Sequence, residues 1–131
     1  MRHQSPQHRR RAAEAKPVRM QFIVEVDRCE LCGRHRFSGR YRTPLFVHEI
    51  ARGFARQAAL DQRCAILCLC GTCHDRIHNE TGWPYARQLS LLRKSRPADF
   101  DLAAFCRLIQ RAPGAITETE VDAFLTTTKG L

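Results

Sequence analysis

The chain has 131 residues and a formal net charge of +9, with 22 Lys and Arg against 13 Asp and Glu. This length suits one ordinary domain and excludes a large multidomain enzyme. No apolar run approaches the roughly 20 residues that span a bilayer, and no apolar segment follows the amino-terminal arginines as in a secretion signal. We therefore expect a cytoplasmic protein that binds a polyanion and no membrane.

The amino-terminal segment, residues 1–20, is basic and poor in large apolar side chains. This composition predicts a disordered arm, which either only aids solubility or releases counterions from nucleic-acid phosphates. Its candidate phosphate contacts are three consecutive arginines: Arg9, Arg10 and Arg11.

Three short strands are predicted in the middle of the chain. Apolar and polar side chains alternate in residues 21–27, which indicates a strand with one half-buried face. A similar alternation in residues 41–47 predicts a second strand, although Pro44 restricts it to a sheet edge or a strand start. The apolar run 65–69 predicts a third strand that can pair with one of the others, and a helix follows it.

Helices are predicted in the carboxy-terminal part. Apolar residues recur at helical spacing in residues 85–92 and again in residues 102–109, where Asp99 or Asp101 would cap the second helix. The sequence Thr-Glu-Thr-Glu at residues 117–120 is a capping-box pattern that predicts a short terminal helix. We expect these apolar stripes to pack on the core.

Cysteine is the most informative residue type in this chain. Seven cysteines are an odd number, and four of them form two Cys-x-x-Cys pairs, which favours metal thiolates in a reducing compartment over disulfides. Together the two pairs predict a tetrahedral structural zinc site formed by Cys29, Cys32, Cys70 and Cys73. The other three are expected to pack as small apolar residues: Cys64, Cys68 and Cys106.

Three histidines predict a second metal site of a different kind. His74 and His78 are four residues apart, so on a helix both imidazoles can coordinate one ion; alternatively they are two exposed surface histidines. His48, at the end of the second predicted strand, offers a third imidazole. Three ligands leave coordination positions open, as in a reactive metal site.

The cysteine pairs and the histidines follow one another in a distinctive order: Cys29-x-x-Cys32-Gly33, then Val47-His48-Glu49-Ile50, then Leu69-Cys70-x-x-Cys73-His74-x-x-Ile77-His78. This order resembles the zinc-knuckle branch of the HNH endonuclease family over about residues 21 to 80. The resemblance implies an α+β fold with a ββα-metal, or His-Me finger, core over residues 21–82. Residues 83–131 would then be a helical extension packed on that core.

The resemblance also implies a metal-dependent endonuclease that hydrolyses DNA phosphodiester bonds. By position, the catalytic divalent ion (Mg, Mn, Ni or Zn) would be held by His48, His74 and His78, beside the structural zinc. Small proteins of this family often belong to phages, mobile elements or bacterial defence, which implies a bacterial or phage-infected cell. The sequence does not indicate an oligomeric state.

Two positions depart from the family pattern. Glu49 stands where the family usually has a second histidine, the general base, and Ala65 stands where it usually has an orienting Asn. Glu49 can replace the imidazole as general base, or it can ligate the metal while His48 acts as the base. In a third interpretation it is a structural acid paired with Arg52 or Arg56, and the site cuts slowly or not at all.

These departures leave two functions open. The first is the nuclease, with Glu49, His48 and His74 as its catalytic residues. The second is a catalytically silent zinc-finger module that binds nucleic acid. Both would use basic residues as nucleic-acid contacts, and the candidates are Arg9, Arg10, Arg11, Arg52, Arg56 and Arg76.

Overall fold

The computed structural model describes residues 5–127, which form six helices and two small antiparallel sheets. In chain order the elements are α1 (Pro6–Val26), β1 (Phe37–Ser38), β2 (Tyr41–Arg42), β3 (Leu45–Glu49), α2 (Ala55–Ala59), β4 (Ile66–Cys70), α3 (Gly71–Asn79), α4 (Tyr85–Ser95), α5 (Leu102–Leu108) and α6 (Glu118–Thr127). Short 3-10 turns cover Arg63–Ala65 and Pro97–Asp99. The predicted α+β class is confirmed. In this described range no helix has the length and apolar character needed to cross a bilayer.

Helix α1 occupies the segment where the sequence predicted a disordered arm and a first strand. The strand prediction is wrong, and residues 1–4 of the predicted arm lie outside the described residues. The backbone N–H of His8 donates to the Ser5 hydroxyl at 3.1 Å, and Pro6 stands at the first helical position, where a missing N–H costs no hydrogen bond. The helix ends at Asp27, whose backbone is left-handed with φ 57°.

The packed face of α1 is partly charged, which explains why its sequence lacks an apolar helical stripe. Its buried and half-buried positions include Arg11, Ala15, Arg19, Phe22 and Val26. The two arginines pair with Asp61 and Glu49, which belong to distant parts of the chain. Periodicity in a sequence detects apolar faces, so a face that packs through ion pairs is not predicted from it.

Strands β3 and β4 pair antiparallel, and helix α3 begins directly after β4. The register pairs Leu45 with Cys70 and His48 with Leu67. The continuous apolar run predicted a third strand, and β4 is buried along its whole length, whereas in β3 only Leu45 and His48 are buried. This unit of two strands and a helix brings the cysteine and histidine motifs together. Its assignment to the ββα-metal fold stays a prediction.

Strands β1 and β2 form a separate hairpin between the first cysteine pair and β3. Phe37 pairs with Arg42 and Ser38 with Tyr41, so the turn has two residues, of which Gly39 adopts φ 58°. The second predicted strand, residues 41–47, is thus divided into β2 and β3 on either side of Thr43-Pro44.

The three carboxy-terminal helices confirm the sequence predictions within the described range. The Asp101 carboxylate caps α5 by accepting a hydrogen bond from the N–H of Ala104 at 3.0 Å. At α6 the capping box is reciprocal: the N–H of Glu120 donates to the Thr117 hydroxyl, and the N–H of Thr117 donates to the Glu120 carboxylate, both at 3.2 Å. Residues 128–131 of the predicted extension lie outside the described residues.

One apolar cluster joins the central unit to these helices. Its largest fully buried members include Ile50, which follows β3, and residues of α1, β4, α4, α5 and α6: Phe22, Leu67, Leu69, Leu92, Phe105 and Val121. The carboxy-terminal helices therefore pack on the unit that positions the cysteines and histidines. The division of the chain at residues 20 and 82 stays a prediction.

Candidate metal centres

The four cysteines of the two Cys-x-x-Cys pairs meet in one cluster. Their sulfurs all lie within 4.8 Å of one another, and the sulfurs of Cys32 and Cys70 are 3.8 Å apart. A tetrahedral zinc with Zn–S bonds of about 2.3 Å requires sulfurs about 3.8 Å apart. The cluster formed by Cys29, Cys32, Cys70 and Cys73 can therefore hold a metal ion such as zinc, as the sequence predicted.

Turn geometry positions the sulfurs in each pair. Gly33 follows the first pair with φ 80°, a conformation that suits glycine, and its N–H donates to the carbonyl of Cys29 at 2.9 Å. The second pair spans the junction of β4 and α3. Burial raises the pKa of Cys70, but hydrogen bonds from the backbone N–H of Cys73 and from neighbouring thiols outweigh it, so the pKa of Cys70 is lowered. This favours the thiolate at Cys70, whereas burial raises the pKa values of Cys32 and Cys73.

The remaining cysteines are not part of this cluster. Cys68 and Cys106 are fully buried, and Cys64 is half-buried. Burial and the nearby charge of Glu30 raise the pKa of Cys68 to about 12, so its thiol stays protonated and unreactive. For Cys68 and Cys106 the predicted role as packed apolar residues is confirmed.

A buried acid fixes the first cysteine pair to the rest of the molecule. The Glu30 side chain is 0% exposed and pairs with Arg96, whose Nε is 2.6 Å from Oε1 of Glu30. The backbone N–H of Cys68 and the hydroxyl of Ser95 also donate to this carboxylate. Glu30 therefore connects the first pair to β4 and α4, and a buried charge needs this number of partners.

The three histidines form a second cluster, with His48 on β3 and His74 and His78 on α3. One ligand atom of each lies within 4.8 Å of the others. The Nε2 atoms of His74 and His78 are 3.1 Å apart, close to the edge of about 3.3 Å in a tetrahedron with metal–nitrogen bonds of 2.0–2.1 Å. His48 is buried and His78 is exposed, so the cluster opens to solvent on one side.

The orientation of His48 is fixed by a glutamine of α4. Nε2 of His48 lies 2.7 Å from Oε1 of Gln88, and the amide nitrogen of Gln88 donates to the carbonyl of Trp83 at 2.8 Å. Because the Trp83 carbonyl can only accept, the carboxamide oxygen of Gln88 faces the imidazole. Nε2 of His48 then carries the proton, and Nδ1 keeps the lone pair that can bind a metal.

The surroundings of the histidines favour their neutral form. Burial, together with the neighbouring His74 and His78, lowers the pKa of His48 to about 4, although the hydrogen bond to Gln88 acts in the opposite direction. Burial and His78 also lower the pKa of His74. At neutral pH both rings are uncharged, which is the state that coordinates an ion.

Glu49 is paired with two arginines, Arg19 and Arg56. Arg56 was one of the two partners expected if Glu49 is a structural acid. Its carboxylate oxygens lie 2.9 Å from Arg56 and 3.2 Å from Arg19. Burial raises the pKa of Glu49, but the hydrogen bonds and charges of Arg56 and Arg19 outweigh it, so the pKa is lowered. The carboxylate is thus ionised at neutral pH but is a weaker proton acceptor than an unpaired one.

A cavity of about 990 Å³ opens over the histidine cluster. It separates α3 from the amino-terminal end of α4, and its polar and aromatic lining includes Arg19, His48, Glu49, Arg52, Arg56, His74, His78, Trp83 and Gln88. A substrate in this cavity would meet the histidines, the carboxylate and several cations at once.

The six basic residues predicted to contact nucleic acid lie in different settings. Arg52 and Arg56 line the cavity, and Arg9, Arg10 and Arg11 lie on α1. Within residues 5–127, ion pairs join Arg11 to Asp61, Arg56 to Glu49, and Arg76 to Glu80. Their predicted contact with nucleic acid stays a prediction.

Comparison with known proteins identifies no relative. No family model matches the chain, and neither a curated protein nor a solved structure matches it. The resemblance to HNH endonucleases therefore depends on the order and spacing of the cysteines and histidines, and it stays a prediction.

Sequence reasoning missed three residues of these centres: Arg19, Glu30 and Gln88. The only signal for Gln88 is that it interrupts the buried stripe of α4, where a polar residue needs a partner. Arg19 fell in the predicted arm, and Glu30 is an unmarked position within a Cys-x-x-Cys pair. Their roles depend on partners that are distant in the sequence.

Proposed function

We propose that this protein is a metal-dependent endonuclease of the HNH type that hydrolyses DNA phosphodiester bonds at the His48, His74 and His78 cluster. The observation that carries the proposal is the convergence of three imidazoles in the lining of an open cavity. A site with three protein ligands leaves positions for substrate, which distinguishes it from the closed four-cysteine cluster.

The residues around the cavity provide the chemistry that phosphodiester hydrolysis needs. A divalent ion on the three histidines would supply Lewis-acid stabilisation of the charge that develops on the phosphate. The ionised carboxylate of Glu49 accepts a proton from the attacking water. The new bond joins the water oxygen to phosphorus, and the bond from phosphorus to the leaving sugar oxygen breaks. Arg52 lines the cavity and is a candidate to bind the phosphate.

The four-cysteine cluster has a structural role in this proposal. It closes the junction between β4 and α3, and Cys73 directly precedes His74 on α3. Zinc bound there would hold the start of α3 in position and therefore orient two of the three histidines.

A second function is favoured by the contacts of Glu49. Both of its oxygens are paired with arginines, and the position of the family's orienting Asn is the fully buried Ala65. If these departures prevent proton transfer, the protein is a catalytically silent zinc module that binds nucleic acid. The two functions differ in cleavage and share DNA binding.

The experiment that separates them is cleavage of supercoiled plasmid by the zinc-loaded protein with Mg, Mn, Ni or Zn added. The nuclease proposal predicts nicked or linear plasmid with at least one of these ions and none with the His74→Ala variant. The Glu49→Gln variant should lose about 100-fold or more of the rate, the usual contribution of a general base.

The comparison needs a matched control, and Gln21→Leu on the exposed face of α1 should cut like the wild type. Absence of cleavage with every ion, while the plasmid is still bound, would refute the nuclease and support the silent module. Full activity of Glu49→Gln would refute Glu49 as the proton acceptor while leaving the metal site intact.

A further inference from the structure

The β1–β2 hairpin and the residues that lead into it, residues 34–42 and here called the hairpin, have no role in the proposed chemistry, yet they are strongly basic. Residues 31–48 contain no Asp or Glu, and they contain four arginines: Arg34, Arg36, Arg40 and Arg42. Two aromatic rings lie among them, with Phe37 54% and Tyr41 79% exposed. Surfaces that bind single-stranded nucleic acid combine cations with exposed aromatic rings in this way.

The charges of the hairpin are not neutralised within the chain. Several other arginines of the described chain pair with carboxylates: Arg11, Arg19, Arg56, Arg63, Arg76, Arg93 and Arg96. None of the four hairpin arginines forms an ion pair within residues 5–127. Their positive charge is therefore available to an external anion, unlike that of Arg11, Arg56 and Arg76.

Phe37 arranges two of these arginines. The guanidinium carbons of Arg36 and Arg42 lie 4.9 Å and 5.4 Å from the centre of its ring. Such cation–π contacts restrict the side chains while their N–H groups stay free to donate. The two arginines are thus partly ordered before a ligand binds, which lowers the entropy cost of binding.

The hairpin is anchored to the metal-binding unit at both ends. Backbone bonds join Cys29 N–H to the Arg34 carbonyl and Arg36 N–H to the Asp27 carbonyl, at 2.9 and 3.0 Å. At its other end only Thr43 and Pro44 separate β2 from β3, which bears His48. Six residues of extended chain reach at most about 20 Å, which corresponds to roughly six nucleotides along one strand of DNA.

We infer that the β1–β2 hairpin is a DNA-binding element, in which Arg34, Arg36, Arg40 and Arg42 contact phosphates and Tyr41 stacks on an unpaired base. The partner is identified by charge complementarity, since every charged side chain of the hairpin is a cation and two aromatic rings lie among them. This inference rests on the proposed function in taking the partner to be the DNA that occupies the histidine cavity.

The test is fluorescence anisotropy of labelled DNA of about 20 nucleotides, single-stranded and as a duplex, long enough to cover the hairpin and the histidines. The zinc-loaded full chain is titrated without other divalent ions over a range of NaCl concentrations. Arg40→Ala with Arg42→Ala should lower affinity for both DNAs and reduce the slope of log K against log salt by about 1.8 on the duplex. Tyr41→Ala should weaken single-strand binding about 5- to 150-fold, and Tyr41→Phe should retain it.

The matched control removes two exposed cations elsewhere, Lys94→Ala with Arg107→Ala on α4 and α5. It should leave the salt slope within about 0.5 of the wild type if those helices lie away from the DNA. Zinc content and circular dichroism identify any variant that fails to fold. If the hairpin variant binds both DNAs with the wild-type affinity and slope, the inference is overturned.

Failure of this inference and failure of the proposed function give different results. A hairpin variant that binds as tightly as the wild type overturns the hairpin as a DNA contact and leaves cleavage to be judged by the plasmid assay. A wild-type chain that binds DNA through the hairpin but never cuts it refutes the nuclease and supports the inference. A wild-type chain that binds neither DNA overturns both.

Discussion

Gln88 shows how one neutral side chain can fix the orientation and tautomer of a buried histidine. Its carboxamide accepts a hydrogen bond from Nε2 of His48 and donates one to the Trp83 carbonyl. Because that carbonyl can only accept, it sets the orientation of the carboxamide. The imidazole is thereby fixed with its lone pair on Nδ1. Groups that orient a ligand in this way often contribute as much to metal affinity as the ligand's own chemistry.

Replacing Gln88 with Leu should weaken the histidine site and spare the four-cysteine cluster. Gln88 is 1% exposed, and Leu has a similar size, so the core stays filled while the hydrogen bond to His48 is lost. We expect binding of Ni²⁺ to the chain loaded with a single equivalent of zinc, which fills the four-cysteine cluster, to weaken about 10- to 100-fold in isothermal titration calorimetry.

The same substitution at Gln21, which is exposed on α1, is the control and should leave Ni²⁺ affinity unchanged. If Gln88→Leu binds Ni²⁺ with wild-type affinity, the hydrogen bond between Gln88 and His48 is not needed to orient the imidazole for metal binding. Loss of the bound zinc as well would show that the substitution disturbs the fold and not the ligand alone.

At the scale of the elements, Glu30 and Arg96 join the first cysteine pair to α4. The carboxylate is fully buried, and the guanidinium is only 9% exposed. Arg96 also donates to the carbonyls of Arg63 and Ile66, so one side chain contacts three segments of the chain. Removing one partner of a buried ion pair is costly because the other charge is left without compensation.

We therefore expect Arg96→Leu to lower the free energy of unfolding by about 3–5 kcal/mol in urea titrations of the zinc-loaded chain. Lys94→Leu, an exposed position on the same helix, should change it by about 0.5 kcal/mol or less. An effect of Arg96→Leu as small as that of the control would mean that Glu30 finds other compensation and does not depend on α4.

The elements also show where sequence patterns are sufficient. The fully apolar run of β4, the stripes of α4 and α5 and the capping box of α6 depend on near neighbours, so they were predicted correctly. Helix α1 was missed because Arg11 and Arg19 occupy its packed face and find their acids far away in the sequence. The alternation of Phe22, Val24 and Val26 was misleading, since Phe22 and Val26 are also one helical turn apart.

At the scale of the whole molecule, the two metal-ligand clusters meet at two consecutive residues of α3. Cys73 belongs to the sulfur cluster and His74 to the histidine cluster, and α3 presents them in different directions. The two clusters were predicted because spacings of three and four residues define a turn and a helical face. The contacts of Glu49 and Gln88 were not, because they need the folded arrangement of α1, α2 and α4 around β3.

The central claim is that this chain has two metal sites with different roles, and a metal count tests it most directly. Native mass spectrometry of the full chain loaded with excess zinc should show two ions on the wild type and one on His74→Ala. The ion that remains on His74→Ala is the zinc of the four-cysteine cluster. The Cys70→Ser variant should lose this zinc and, with it, the spectroscopic signal of the folded chain. A single ion on the wild type, or an unchanged count in His74→Ala, would contradict the histidine site and the proposed nuclease with it.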